Sequence, residues 1–122
     1  MYKISEISQL TGLPISTLRY YETIRILEPK RLENGYRTFS EDDLEWIRFI
    51  KQAKQIGMNL ETMLNYAELR KKGDQTIIQR ISILVDQERI LRHQISELEN
   101  HLDFILLKKH HFYEKLQNKS EH

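Results

Sequence analysis

The longest regular pattern of hydrophobic positions lies in the second half of the chain, from residue 77 to residue 116. Twelve positions follow one another at alternating spacings of four and three, and ten of them are apolar. This is the heptad pattern of a coiled-coil helix. Such a helix is on the order of 60 Å long and cannot bury its apolar face within so short a chain. We therefore expect two copies of the helix to form a homodimer.

The residues expected to form the dimer interface are apolar and share one face of this helix: Ile81, Leu84, Leu91, Ile95, Leu98, Leu102, Ile105 and Phe112. Glu88 and Lys109 interrupt this face on opposite sides of its midpoint, near position 98 or 99. In an antiparallel pair the carboxylate of one copy would face the ammonium of the other. The pattern therefore favours an antiparallel coiled coil.

Shorter helical patterns fill the first part of the chain, where all the glycines and prolines lie. Ser5 is expected to cap a helix that ends near Gly12, and Pro14 to open a second helix. Two short helices joined in this way predict a helix-turn-helix. Because helix breakers stop at Gly73, we expect a DNA-binding domain in residues 1–73 and a dimerisation helix with a short tail in residues 74–122.

After Pro29 the helical pattern gives way to two short segments that flank a turn. Asn34-Gly35 predicts a hairpin with a type I′ turn, which requires positive φ at both central residues. Ser40 and Asp43 form a capping box that begins a third helix, and Asn59 is expected to cap a fourth. The whole pattern predicts a mainly α protein, a winged helix-turn-helix domain followed by a long dimerising coiled-coil helix.

Composition narrows the possible functions. The 122 residues contain no cysteine, which excludes disulfides, thiolate metal sites and a cysteine nucleophile. No segment is apolar enough to cross a membrane, so we expect a soluble cytoplasmic protein. The sequence contains no catalytic grouping, so we expect neither an enzyme nor a cofactor. Five histidines lie in the last 30 residues, where a solvated helix face is favoured over a metal site.

A winged helix-turn-helix joined to a dimerising helix is a design for binding duplex DNA. The net charge is only +1, so this interpretation depends on where the charges lie. The candidate contacts lie at the start of the second helix and on the wing: Ser16, Thr17, Arg19, Tyr20, Tyr36 and Arg37. For Arg19 and Arg37 the alternative role is a surface ion pair with Glu22 or Glu33.

Several short motifs follow in a characteristic order: Thr17-Leu18-Arg19-Tyr20-Tyr21-Glu22, Leu27, Pro29, Asn34-Gly35-Tyr36-Arg37, Phe39-Ser40 and Asp43-Leu44. In this order the chain resembles the MerR family of bacterial transcription regulators, and its long helix resembles the family's dimerisation helix. The resemblance implies a homodimer that binds and distorts two-fold symmetric promoter DNA, where RNA polymerase is the further partner. It also implies phosphate contacts for Arg19 and Tyr20, base contacts for Ser16 and Thr17, and wing contacts for Tyr36 and Arg37.

The chain departs from the family pattern at two positions, one in the turn after the second helix and one where related proteins carry the cysteine that senses the effector. Arg25 stands where the family usually has a glycine. The chain resembles most the short group that responds to aldehydes or nitrosothiols, yet Gln52 stands where that group has its cysteine. With six residues after Leu116, we expect no separate ligand domain, and the effector stays unknown.

Three further possibilities stay open at this point. The same scaffold suits an architectural DNA-bending recombination cofactor or a coiled-coil protein-interaction adaptor. The rings of Trp46, Phe49 and Tyr66 are expected to pack together, with a ligand pocket as the alternative. Four apolar residues of the long helix lie off its main face and are expected to contact the other subunit's DNA-binding half: Phe104, Leu106, Leu107 and Tyr113.

Overall fold

The computed structural model describes residues 1–120, which contain a short 3-10 helix at Asp74–Thr76 and, besides it, five α-helices and one short hairpin. In chain order they are α1 (Ile4–Thr11), α2 (Ile15–Thr23), β1 (Lys30–Arg31), β2 (Arg37–Thr38), α3 (Glu41–Gln55), α4 (Leu60–Lys71) and α5 (Ile77–Ser120). The chain divides into two units, of which the first spans Met1–Ile83 and the second begins at Leu84. The first two turns of α5 thus belong to the first unit. The predicted class, a winged helix-turn-helix followed by a long helix, is confirmed.

The start of α1 differs from the prediction. The carboxylate of Glu6 accepts a hydrogen bond from the backbone N–H of Lys3, at 3.0 Å, so Lys3 rather than Ser5 occupies the capping position. Ser5 lies inside the first turn of the helix. A carboxylate at this place satisfies an N–H that the helix itself leaves free and interacts favourably with the helix dipole. At the other end α1 stops at Gly12, and Pro14 precedes α2 as predicted.

The wing is an antiparallel hairpin of only two residue pairs, Lys30 with Thr38 and Arg31 with Arg37. Its turn is not the predicted type I′ turn. The N–H of Gly35 bonds the carbonyl of Leu32 at 2.9 Å, and Gly35 has φ +84°, whereas Asn34 does not have positive φ. This is the three-residue connection that ends in a left-handed glycine.

The base of the hairpin is joined to the N-terminal segment. Phe39 and Tyr2 exchange both backbone hydrogen bonds, at 2.7 and 2.9 Å, and the Phe39 side chain is almost completely buried. The Tyr2 hydroxyl donates to the Glu41 carboxylate, and this bond raises the pKa of the phenol above its ordinary value. One end of the wing is therefore fixed by both backbone pairing and side-chain burial.

The predicted caps of α3 and α4 are confirmed. Ser40 Oγ accepts from the Asp43 N–H at 3.1 Å, and the Asp43 carboxylate accepts from the Ser40 N–H at 2.9 Å. Asn59 Oδ1 accepts from the Thr62 N–H at 2.8 Å. Each bond satisfies a donor that the first turn of a helix leaves free, so these two helix starts are fixed by local sequence.

The hydrophobic core of the first unit is built from one face of each of the first four helices and from the loop after α2. Its fully buried side chains are Ile7, Leu18, Ile26, Leu27, Phe39, Ile47 and Ile50. The indole of Trp46 closes one side and donates to the carbonyl of Ile26 at 2.8 Å. The loop after α2 is thus held by burial and by a side-chain hydrogen bond.

The packing role of the aromatic residues on α3 and α4 is confirmed. Trp46, Phe49 and Tyr66 stack on one another with ring centroids 4.7 to 5.9 Å apart. The guanidinium of Arg70 lies 4.7 Å from the centre of the Trp46 ring, within the range of a cation–π contact. Stacked in this way, the rings fill the space between the two helices.

The apolar face of α5 is exposed in the single chain. Its eight predicted interface residues are between 39% and 67% exposed, and the off-face residues Phe104 and Leu107 are 62% and 71% exposed. A helix with this much exposed apolar surface requires a partner. No helix among residues 1–120 is long and apolar enough to cross a membrane.

The turn after α2 generates a prediction about stability. Arg25 has φ +63°, and it is the only non-glycine residue with positive φ in the described chain. The left-handed conformation costs an L-residue about 1 kcal/mol, and part of the gain from glycine is lost to unfolded-state entropy. Arg25→Gly should raise the free energy of unfolding by about 0.5 kcal/mol, measured by urea denaturation. Arg25→Ala, which removes the side chain but keeps the strain, should change it little, and an equal gain in both variants would disprove a backbone origin.

Candidate nucleic-acid interface

Helix α2 buries one face and exposes the other. Leu18 and Tyr21 are 1% and 4% exposed and pack in the core, whereas Ser16, Arg19 and Tyr20 are exposed. At 100° per residue, Ser16 lies near the middle of the outer face, with Arg19 and Tyr20 about 50° to either side of the middle. The outer face therefore presents a hydroxyl, an aromatic ring and a guanidinium side by side.

A cleft of about 840 Å³ lies on the Arg19 side of α2. We call it the wing cleft; Arg19, Tyr36 and Arg37 contribute to its lining, together with the N-terminal segment. Tyr36 is 72% exposed, and Arg19 forms no ion pair with any residue in the described part of the chain. The structure thus brings together three of the six predicted DNA contacts, one from α2 and two from the wing.

Glu22 connects α2 to the wing. Its Oε1 accepts from Arg31 Nη2 at 2.9 Å, and its Oε2 accepts from Arg37 Nε. Arg31 also donates through Nη1 to the Gly35 carbonyl at 2.8 Å. The predicted ion-pair alternative for Arg37 is therefore present, with Glu22 as the partner, while the same side chain still lines the wing cleft.

A second depression of about 330 Å³ lies on the opposite side of α2. We call it the lysine groove; Thr17 and Tyr21 line it from α2, and Lys51, Lys54 and Gln55 line it from α3. Thr17, predicted as a base contact, therefore lies at the edge of the outer face and toward this groove. Two ammonium groups without a carboxylate in the lining make the groove a suitable place for an anion.

The hydroxyl of Tyr21, a residue whose side chain lines the lysine groove, is unusual. It is buried and has no hydrogen-bond partner among the described residues. Lys54 Nζ lies 6.0 Å from the centre of the Tyr21 ring, and Lys51 Nζ donates to the Thr11 carbonyl at 2.5 Å. A buried hydroxyl without a hydrogen-bond partner lowers the stability of the folded protein.

The lysines are site residues that the sequence reasoning missed. Neither Lys51 nor Lys54 is among the DNA contacts predicted from the sequence. The available signal was the i, i+4 spacing of Thr17 and Tyr21 together with the i, i+3 spacing of the two lysines, because each pair shares one helix face. What the sequence does not contain is the packing that turns these two faces toward each other.

The remaining candidate side chains take no part in this interface. Gln52 is exposed on α3. His93 and His110 lie 3.1 and 2.9 Å from Glu97 and Glu114 on α5, so they belong to pairs along the helix surface. Within residues 1–120 no group of three or more histidine, aspartate or glutamate side chains is arranged to hold a metal ion.

A helix-turn-helix whose second helix is flanked by a two-stranded wing defines the winged helix-turn-helix class of nucleic-acid-binding proteins. Residues 2–68 match a family model described as the MerR HTH family regulatory protein. The chain belongs to the MerR family, and the resemblance found in the sequence is confirmed.

Individual relatives and solved structures agree with this assignment. The HTH-type transcriptional regulator AdhR of Bacillus subtilis (strain 168) is 37% identical over 72% of this chain and 64% of its own length. A MerR family transcriptional regulator from Listeria monocytogenes has a TM-score of 0.81 at 32% identity, covering 88% of this chain and 83% of that one. HiNmlR, a MerR family regulator lacking the sensor domain and bound to promoter DNA, has a TM-score of 0.72 at 33% identity, with 84% and 78% covered. The chain thus spans slightly less than two thirds of AdhR and more of the two structures.

The unpartnered hydroxyl generates a prediction. Tyr21→Phe removes a buried polar group and keeps the ring, so it should raise the free energy of unfolding by about 1 kcal/mol. Tyr20→Phe, which removes an exposed hydroxyl from the neighbouring residue, should leave it unchanged. Urea denaturation of both variants makes the comparison. A loss of stability in Tyr21→Phe would contradict this view, because it would mean that the hydroxyl is already satisfied in the folded protein.

Proposed function

We propose that this chain is a sequence-specific transcription regulator that acts as a homodimer and binds and distorts promoter DNA. The observation that carries the proposal is the outer face of α2, which lies between the wing cleft and the lysine groove. A helix fits the major groove, and basic side chains on both sides of it then reach the phosphates on the two edges of that groove.

Each predicted contact has a distinct place in this arrangement. Ser16 and Thr17, in the first turn of α2, are nearest the base edges and carry sequence preference. Arg19 and Tyr20 contact phosphates beside them. Tyr36 and Arg37 contact the DNA backbone from the wing. These assignments are supported by exposure for four of the residues, by the lining of the wing cleft for Arg37 and by the lining of the lysine groove for the half-buried Thr17.

We add the lysine groove to this interface as a second phosphate site. A phosphate in the groove is neutralised by Lys54, whose ammonium lies over the Tyr21 ring. Phosphate contacts on both sides of the recognition helix fix its position along the duplex. They also allow the protein to hold the backbone in a changed geometry, which is how contact energy is used to deform DNA.

Dimerisation places two such interfaces on one duplex. The exposed apolar face of α5 supports a coiled coil with a second copy, and the opposed positions of Glu88 and Lys109 support antiparallel packing. Residues 1–73 then form the DNA-binding domain and residues 74–122 the dimerisation helix and tail. A two-fold symmetric dimer binds a site of the same symmetry, at a promoter where RNA polymerase is the further partner.

The test of this function is selection from a random duplex library, followed by binding measurements on the recovered site. We expect an inverted repeat, and an affinity that falls steeply as salt rises because several phosphates are contacted. Arg19→Ala should weaken binding by about tenfold or more on all duplexes and make the salt dependence shallower. Thr17→Val should instead change which sequence is recovered.

Arg89→Ala is the matched control, because it removes the same charge from an exposed i, i+3 ion pair on α5. It should bind like the wild type. Recovery of no duplex above the Arg19→Ala background would contradict the proposal and favour a protein-binding adaptor. DNA bending without any effect on transcription from the selected promoter would favour an architectural cofactor.

A further inference from the structure

We infer that Glu22 is a positioning residue, which holds the wing against α2 and aims Arg37 at a DNA phosphate. The inference rests on the proposed function, since it concerns the same interface. Bulk electrostatics does not explain the position of the Glu22 carboxylate. A carboxylate lies within a surface that is proposed to bind a polyanion, and it contacts both arginines of the hairpin.

The register of the hairpin explains why the wing requires this carboxylate. Arg31 and Arg37 are direct partners across the two strands, so both side chains lie on one face of the hairpin. Like charges in directly opposite positions destabilise a pair of strands. Glu22 binds one arginine with each of its two oxygens and so converts the repulsion into a bridged three-residue network.

The wing has few other contacts that determine its orientation. A hairpin of two residue pairs is not stable by itself. Its base is fixed by the pairing of Phe39 with Tyr2, and the Arg31 bond to the Gly35 carbonyl fixes the turn to the same network. Among the hydrogen bonds and ion pairs of residues 1–120, those of Glu22 join the side chains of the strands to α2.

The atoms of Arg37 that Glu22 occupies determine what remains for DNA. Glu22 binds Nε of Arg37, and the side chain remains 25% exposed in the wing cleft, beside Arg19 and Tyr36. The terminal Nη groups form no hydrogen bond with any residue between 1 and 120. A guanidinium has five donors in one plane, so it can bind a carboxylate on one edge and a phosphate on the other.

For removal of the Glu22 charge, this role predicts a change in DNA affinity opposite to the one that electrostatic repulsion alone would give. Removing a carboxylate from a DNA-binding surface ordinarily strengthens binding, because it removes repulsion of the phosphates. If Glu22 positions Arg37, removing its charge weakens binding instead. Glu33 provides the matched control, because it is an exposed carboxylate on the same wing that forms no ion pair with any described residue.

The experiment measures affinity for the selected duplex across a range of salt concentrations. Glu22→Gln should weaken binding by about tenfold and reduce the salt dependence as Arg37→Ala does, whereas Glu33→Gln should bind as well as the wild type or better. The double variant with Arg37→Ala should be no weaker than Arg37→Ala alone, because both changes remove the same contact. Thermal unfolding shows which variants are folded.

A second variant keeps the test decisive if Glu22→Gln does not fold. Glu22→Asp keeps the charge but is too short to reach both arginines, so it too should weaken binding. If the wild type binds the duplex and Glu22→Gln or Glu22→Asp binds it equally or more tightly, the inference about Glu22 is overturned. The proposed function is not affected by that result. If the wild type itself binds no duplex above the Arg19→Ala background, the proposed function fails, and the inference fails with it.

Discussion

The burial of one face of α2 is the constraint on which the rest of the interface depends. Leu18 and Tyr21 are held in the core, so rotation of the helix is fixed and Ser16, Arg19 and Tyr20 face outwards. The same orientation of α2 puts Glu22 beside the wing and turns the side of the helix that carries Thr17 toward the lysines of α3. Core packing, which carries no information about DNA, thus determines which side chains can reach it.

Two local features of the first unit oppose stability in ways that serve this arrangement. Arg25 accepts a left-handed backbone because the next two residues, Ile26 and Leu27, must return directly to the core. The hydroxyl of Tyr21 is buried and has no hydrogen-bond partner among the described residues. Strained or unsatisfied groups are common at binding sites, where a ligand supplies the missing interaction.

Much of the fold could be predicted from the sequence, because the signals are local. The capping residues Ser40 and Asn59 and the heptad pattern of α5 each act within a few residues of the element they define. The prediction that Ser5 caps α1 was wrong, because the Glu6 carboxylate accepts from the Lys3 N–H and the helix begins earlier. The predicted type I′ turn was wrong, because only Gly35 of its two central residues adopts positive φ. The Glu22 bridge and the lysine groove join elements far apart in the sequence, so they became visible only in the packed structure.

The central claim is that the recognition helix lies between two phosphate-binding sites, the wing cleft on one side and the lysine groove on the other. Ethylation interference on the selected duplex tests it directly, since ethylation removes the charge of one phosphate at a time. We expect two groups of sensitive phosphates in each half-site, one on each edge of the same major groove. Sensitivity confined to one edge would contradict the claim, because it would leave one of the two sites without contact to DNA.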